Sequence, residues 1–179
     1  KAVADRAGGI YLAVARTLVQ FGRIKFLFGG DDMGHRTGTL ISPDHLRKLT
    51  LPWHRKIAKV AHDAGKLYLL HSCGNLEQIM PDLCDDVKID GRHSYEDTIE
   101  RVESVKKRWG HKVAVIDGID VDFLCRSDER AIRKRVRETL DLCMPGGGYC
   151  LGTGNSMCNY IPIARYLVML DEGRRDGGA

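Results

Sequence analysis

A histidine and a cysteine lie two residues apart, at His71 and Cys73, directly after the apolar run of residues 67–70. In a β-strand, residues i and i+2 point to the same face, so the imidazole and the thiol could bind one atom together. A second thiol, Cys150, lies in another short apolar run. One histidine and two cysteines are the ligands of a zinc site with an open fourth position. The sequence therefore predicts a metal site at His71, Cys73 and Cys150.

A structural role is the alternative for these three residues. Free cysteines are among the most buried residue types, and a histidine at the end of a strand also serves as a hydrogen-bonding group. A His-x-Cys pair with a distant third ligand is less specific than paired Cys-x-x-Cys motifs. Residue types alone leave both interpretations open.

The elements that must position these residues alternate along the chain. Apolar and β-branched runs predict strands at residues 24–28, 66–70, 87–90, 112–116 and 149–151. Helical spacing predicts helices over residues 2–20, 42–64, 75–83, 95–109, 127–143 and 162–172. Pro52 is expected to kink or split the second helix, and residues 31–42 are expected to form a loop. This alternation indicates βαβ units, a parallel sheet and an α/β fold in which residues 24–28 form a buried strand.

Polar and glycine-rich stretches follow the predicted strands. In parallel α/β folds, the carboxyl ends of the strands hold the active site. Five strands are too few to close an eight-stranded barrel, so a barrel would need about three more strands upstream. The chain also begins inside a helical pattern at Lys1, and we expect it to be part of a longer fold.

Composition restricts the class of protein. A chain of 179 residues with 43% hydrophobic and 29% charged residues predicts one globular domain over residues 1–179. The net charge of +4 is modest, and the basic stretch 130–137 contains no aromatic residues, which favours a solvated helix face over a nucleic-acid site. No membrane span or signal sequence is apparent, and the six cysteines are dispersed, so a cytoplasmic protein with reduced thiols is expected.

Six motifs together resemble the uroporphyrinogen decarboxylase superfamily, and within it the branch of zinc-dependent cobamide methyltransferases. They occur in the family's order along nearly the whole chain. The motifs are Gly30-Asp31-Asp32-Met33-Gly34, Leu40-Ile41-Ser42-Pro43, His71-Ser72-Cys73-Gly74-Asn75, His93-Ser94-Tyr95-Glu96-Asp97, Gly118-Ile119-Asp120-Val121-Asp122 and Gly148-Tyr149-Cys150-Leu151-Gly152-Thr153-Gly154-Asn155-Ser156.

The resemblance implies the carboxyl-terminal part, about five βα units, of a (β/α)8 TIM-type barrel with parallel strands. It implies zinc on a His-x-Cys pair and a later cysteine, which match His71, Cys73 and Cys150. Enzymes of this branch move a methyl group between a corrinoid protein, whose cofactor is of the methylcobalamin type, and a small thiol such as coenzyme M. The expected partners are therefore a corrinoid protein and a thiol substrate.

Other site residues are predicted at the same edge of the sheet. Asp31, Asp32 and Glu96 are candidate catalytic carboxylates that would orient neighbouring groups or the incoming thiol, with turn and helix-start roles as the alternative. The candidate residues for binding the corrinoid cofactor are Gly152, Thr153 and Asn155.

Two further functions compete with methyl transfer. The first is a decarboxylase or demethylase of the same superfamily with an unknown substrate. Porphyrin decarboxylation itself is disfavoured, because those enzymes typically have a histidine where Thr153 stands and lack the His-x-Cys pair. The second is a non-catalytic partial barrel that assembles with itself or another chain through open strand edges.

Overall fold

A computed structural model of the chain describes residues 1–176. Within them, the helices are α1 (Ala2–Leu18), α2 (Pro43–Leu49), α3 (Leu51–Asp63), α4 (Val102–Trp109), α5 (Val121–Arg126), α6 (Glu129–Cys143) and α7 (Ile163–Asp176). The strands are β1 (Phe26–Gly30), β2 (Gly34–His35), β3 (Gly38–Thr39), β4 (Leu67–His71), β5 (Gly91–His93), β6 (Ala114–Ile116) and β7 (Tyr149–Cys150). A 3₁₀ turn, Glu77–Ile79, and a π-helical turn, Asp82–Val87, lie between β4 and β5.

Five of the strands form one sheet in the order β1-β4-β5-β6-β7. β1 pairs in parallel with β4, and β6 pairs in parallel with β7. Helices separate these strands along the chain, as βαβ connections require. The predicted α/β fold with parallel strands is therefore confirmed.

The chain divides into two compact units, Lys1–Arg92 and His93–Ala179. In the first unit, helix α3 packs beside α1 and β4. The apolar core of this unit includes Leu51, Tyr68 and Leu70. In the second unit, α6 and α7 enclose a core that includes Ile132, Val136 and Met169.

Local start and stop signals behave as the sequence predicts. The Ser42 hydroxyl accepts a hydrogen bond from the His45 backbone N–H and caps α2, which has proline at its first position. Pro52 stands at the start of α3, so the predicted helix over residues 42–64 is split in two.

The third predicted strand, residues 87–90, is wrong. The π-helical turn reaches Val87, and Lys88 follows in the left-handed region with a φ of 62°. The side chains of Val87 and Ile89 are both buried, so a turn produces the alternation that resembles a strand. The strand itself begins at Gly91, four residues after the predicted start.

Other boundaries also differ from the expectation. The segment 31–42 contains the short antiparallel pair β2-β3, and the helix predicted over residues 95–109 begins only at Val102. β1 is not fully buried, because Phe26 and Phe28 are 48% and 53% exposed. β1 is an outermost strand of the sheet, and its successive side chains point to opposite faces, which explains why Phe26 and Phe28 are exposed while Leu27 is buried.

Across residues 1–176, no helix is both long enough and apolar enough to cross a membrane.

The contact between α1 and α3 yields a prediction about two adjacent glycines. A Cβ atom at Gly8 would lie 2.1 Å from Trp53 Cδ2, whereas a Cβ at Gly9 would meet nothing within 4 Å. We expect Gly9→Ala to stabilise the protein by about 0.5–1 kcal/mol through helix propensity. Gly8→Ala should instead lower the free energy of unfolding by about 1–3 kcal/mol through overpacking. Urea denaturation of both variants measures the difference, and equal stabilisation would contradict this packing.

Candidate metal centre

The register of β1 and β4 determines which residues meet at their carboxyl ends. Gly30 pairs with His71, and the Asp31 backbone N–H donates to the His71 carbonyl at 3.0 Å. The residues that follow the two strands are therefore neighbours. This places Asp32 beside the His71 and Cys73 pair.

Three potential metal ligands converge at this point. The ligand atoms of Asp32, His71 and Cys73 all lie within 4.8 Å of one another. His71 Nε2 lies 3.4 Å from Asp32 Oδ1 and 3.5 Å from Cys73 Sγ. Ligands bound tetrahedrally at zinc distances are separated by roughly 3.3 to 3.8 Å. The donor set and its spacing therefore fit zinc.

The loop that carries Cys73 is held closely against the loop that carries Asp32. The Cys73 backbone N–H donates to Asp32 Oδ1 at 3.0 Å, and this hydrogen bond lowers the pKa of the Asp32 carboxyl below its usual value. Gly74 has a φ of 82°, and a Cβ there would lie 2.3 Å from the Gly34 carbonyl carbon. Only glycine fits this close approach of the two backbones.

Asp31 points into a different set of contacts from Asp32. Its Oδ2 atom lies 3.1 Å from His54 Nε2, and His54 Nδ1 lies 2.7 Å from the hydroxyl of Tyr68. Burial raises the pKa of Tyr68, which keeps its hydroxyl protonated. His54 is therefore a packed, hydrogen-bonded residue.

In the second unit, the loop after β7 contains the candidate cofactor-binding residues. The Thr153 hydroxyl donates to the Asn155 carbonyl at 2.7 Å, and His93 Nε2 lies 3.2 Å from the Thr153 carbonyl oxygen. The Gly152 carbonyl accepts from the Ile119 N–H at 3.0 Å. The loop therefore has fixed geometry, while the Asn155 side chain is exposed.

Cys150 lies at the end of β7, with an exposed side chain. Its carbonyl accepts a hydrogen bond from the Asp117 N–H at 2.9 Å. Cys150 belongs to the second unit, whereas Asp32, His71 and Cys73 belong to the first. Its role as a metal ligand stays a prediction.

The candidate carboxylate Glu96 lies in a turn, where its carbonyl accepts from the N–H groups of Ile99 and Glu100 at 2.9 Å. Its neighbour Asp97 bonds Arg135, with 3.2 Å between Oδ1 and Nη2. Burial raises the pKa of Asp97. Asp97 therefore has a structural ion pair, while the catalytic role of Glu96 stays a prediction.

Asp117 directly follows β6 in the second unit and is not among the candidate site residues of the sequence. Its fully buried carboxylate accepts hydrogen bonds from the N–H groups of Tyr95, at 2.6 Å, and Gly118. Its φ of 150° is unfavourable for a residue with a Cβ atom. Tyr149 holds the strained residue by donating from its hydroxyl to the Asp117 carbonyl at 2.6 Å. The spacing of residues in the sequence does not indicate this arrangement, because the arrangement depends on the pairing of β6 with β7.

Comparison with known proteins now identifies the family. Residues 28–175 match the protein family described as Uroporphyrinogen decarboxylase (URO-D), a span that covers most of the chain. The chain belongs to the uroporphyrinogen decarboxylase family. The predicted resemblance is confirmed at this level. No curated protein sequence matches this family member significantly.

The fold of this uroporphyrinogen decarboxylase family member is shared with a solved methyltransferase from Methanosarcina mazei. The two structures agree with a TM-score of 0.75 at 20% sequence identity, over 96% of this chain and 48% of the methyltransferase chain. At this identity the match shows the fold. The chain thus spans about half the length of the matched structure, consistent with a partial TIM barrel.

The cysteines of this family member should differ in reactivity. Burial raises the pKa of the Cys143 thiol to about 11, whereas Cys150 and Cys158 are exposed. Because the thiolate is the reactive form, iodoacetamide at pH 8 should label Cys150 and Cys158 before Cys143 in protein treated with a chelator to remove metal. Peptide mass mapping over time measures the order. Labelling of Cys143 at the same rate as the exposed thiols would contradict the structure.

Proposed function

We propose that this chain forms part of a zinc-dependent methyltransferase that moves a methyl group between a corrinoid and a small thiol such as coenzyme M. The observation that carries the proposal is the convergence of Asp32, His71 and Cys73 at the carboxyl ends of two parallel strands. The match in fold to a methyltransferase supports the reaction class. Membership of the uroporphyrinogen decarboxylase family supports an enzymatic role.

The donor set determines what the site would hold. Imidazole and thiolate groups suit the borderline softness of zinc, and a carboxylate oxygen is an accepted third donor. His71 and Cys73 are the proposed ligands from the first unit, with Asp32 at ligand distance from the histidine. Cys150 is the proposed ligand from the second unit. When bound, zinc would supply positive charge that favours the thiolate form of a thiol substrate at neutral pH.

The chain's own groups would orient this reaction. The Asp32 carboxylate accepts a hydrogen bond from the Cys73 N–H, so it holds the loop that carries Cys73. Asp31, restrained by His54, would help to orient the incoming thiol. In the overall transfer, the thiolate sulfur forms a bond to the methyl carbon. The methyl group would leave the corrinoid, which would keep the electron pair of the broken bond.

The corrinoid is proposed to contact the loop that contains Gly152, Thr153 and Asn155. The hydrogen bond from the Thr153 hydroxyl to the Asn155 carbonyl holds this loop, and the Asn155 side chain, whose Oδ1 accepts from the Ser156 N–H, is exposed. We propose that a corrinoid protein presents the cofactor there. Glu96 is proposed as a further catalytic carboxylate.

Metal analysis tests the site. The purified chain should contain about one zinc per polypeptide after dialysis, and His71→Ala or Cys73→Ser should lose most of it, because each removes a ligand. Cys158→Ser is the matched control, since Cys158 lies outside the ligand cluster and should leave the zinc content unchanged. Elemental analysis by mass spectrometry gives the ratio. Zinc-free protein, or equal loss in the control, would contradict the proposal.

We also propose that a second copy of the chain covers an apolar surface of the first unit, defined here as the exposed face of α1 with β1. Its exposed apolar side chains are Val3, Ile10, Tyr11, Val14, Leu18, Phe26 and Phe28. A cavity of about 360 Å³ opens beside them, lined by residues that include Leu27 and Trp53. Contiguous exposed apolar surface marks an interface, and strands at the end of a sheet accept further pairing. In purified protein, the available partner is another copy.

Light scattering tests this assembly. The chain should form a dimer at micromolar concentration, and Val14→Glu should shift it toward monomer by placing a charge in the apolar surface. Leu142→Glu is the matched control, because Leu142 is an exposed leucine of the second unit, outside that surface. A monomeric wild-type chain with one cooperative unfolding transition would contradict the assembly.

A further inference from the structure

Arg92 is a buried cation next to the loop of the proposed metal site. It lies in β5, and only 5% of its surface is exposed. Its Nη2 atom donates hydrogen bonds to the Ser72 carbonyl at 3.3 Å and to the Gly74 carbonyl at 3.0 Å. Burial of a guanidinium is costly unless its N–H groups find acceptors, so these two bonds are a substantial constraint on the loop.

The two carbonyls belong to the residues on either side of Cys73, and so to the Ser72–Cys73 and Gly74–Asn75 peptide groups. The Ser72–Cys73 peptide donates its N–H to Asp32 Oδ1 at 3.0 Å, and its carbonyl accepts from Arg92. The Gly74–Asn75 peptide donates its N–H to the His35 carbonyl at 2.8 Å, and its carbonyl also accepts from Arg92. In both peptide groups, the N–H and the carbonyl are therefore hydrogen-bonded.

We propose that Arg92 is the positioning residue of the metal centre, holding Cys73 so that its sulfur stays within ligand distance of His71 Nε2. This inference rests on the proposed zinc site. Because one nitrogen reaches both carbonyls, the backbone on either side of the cysteine is fixed from one point.

Lysine cannot replace this arrangement. A guanidinium is planar, always charged and directs several N–H groups from a rigid fork, whereas an ammonium is a compact point charge on a flexible chain. Arg92→Lys keeps the charge and much of the volume but loses the fork. Arg92→Met keeps the apolar stem and loses both the charge and the donors.

Cobalt(II) binding to the full chain tests the proposal, because the thiolate-to-cobalt absorption band reports cysteine–metal bonds apart from any activity, and the part lost in Cys73→Ser belongs to Cys73. Arg92→Met and Arg92→Lys should each weaken metal affinity by about 10–100-fold, as substitutions behind metal ligands do. The absorption band should also weaken or shift. Competition with a chromophoric chelator measures the affinity.

Arg135→Met is the matched control. Arg135 is also a buried arginine, bonded to Glu103 and Asp97 in the second unit, away from the ligand loop along the chain. The Arg135→Met substitution should lower the melting temperature while leaving metal affinity within about twofold, as expected for sites that share no partners.

If the Arg92 variants have the cobalt affinity and spectra of the wild type, the inference about Arg92 is wrong, while the proposed function is unaffected. A wild-type chain that binds no cobalt or zinc would overturn the proposed function as well. If neither Arg92 variant folds, Arg92 is a core residue and the positioning role is wrong.

Discussion

The candidate site depends on the parallel register between β1 and β4. Because Gly30 pairs with His71, both strands end at the same level, and the backbone of Asp31 continues the ladder by bonding the His71 carbonyl. The next residues on each chain segment, Asp32 and Cys73, are then placed side by side. A shift of one residue would turn every side chain of β4 to the opposite face. Strand pairing therefore sets the donor geometry before any side-chain interaction does.

Close backbone contact makes that geometry rigid. Gly34 and Gly74 approach so tightly that neither could carry a side chain without displacing the other strand's loop. The buried Ser72 hydroxyl accepts the Met33 N–H at 3.1 Å, so the same two loops are also joined through a side chain. Such support is what holds ligand groups within a few tenths of an ångström of a productive arrangement.

Much of this could be predicted from the sequence, and the remainder has identifiable physical causes. His71 and Cys73 were found because a two-residue spacing after an apolar run has a simple meaning in a strand. Ser42 and Pro52 marked helix boundaries because capping and ring geometry act locally. The strand predicted at residues 87–90 was wrong because Lys88 adopts a left-handed conformation that no local pattern announces. The closeness of Asp32 to His71 and the contacts of Arg92 depend on pairing between segments that are distant in the chain. Local patterns in one sequence do not indicate that pairing.

X-ray absorption at the zinc edge tests the central claim most directly, because it identifies the donor atoms around the metal in the intact 179-residue chain. The account predicts one or two sulfur ligands near 2.3 Å together with nitrogen and oxygen ligands near 2.0 to 2.1 Å, roughly the distances of thiolate, imidazole and carboxylate donors. Cys73→Ser should remove one sulfur from that shell. A zinc environment of oxygen and nitrogen alone in the wild-type protein would contradict the account.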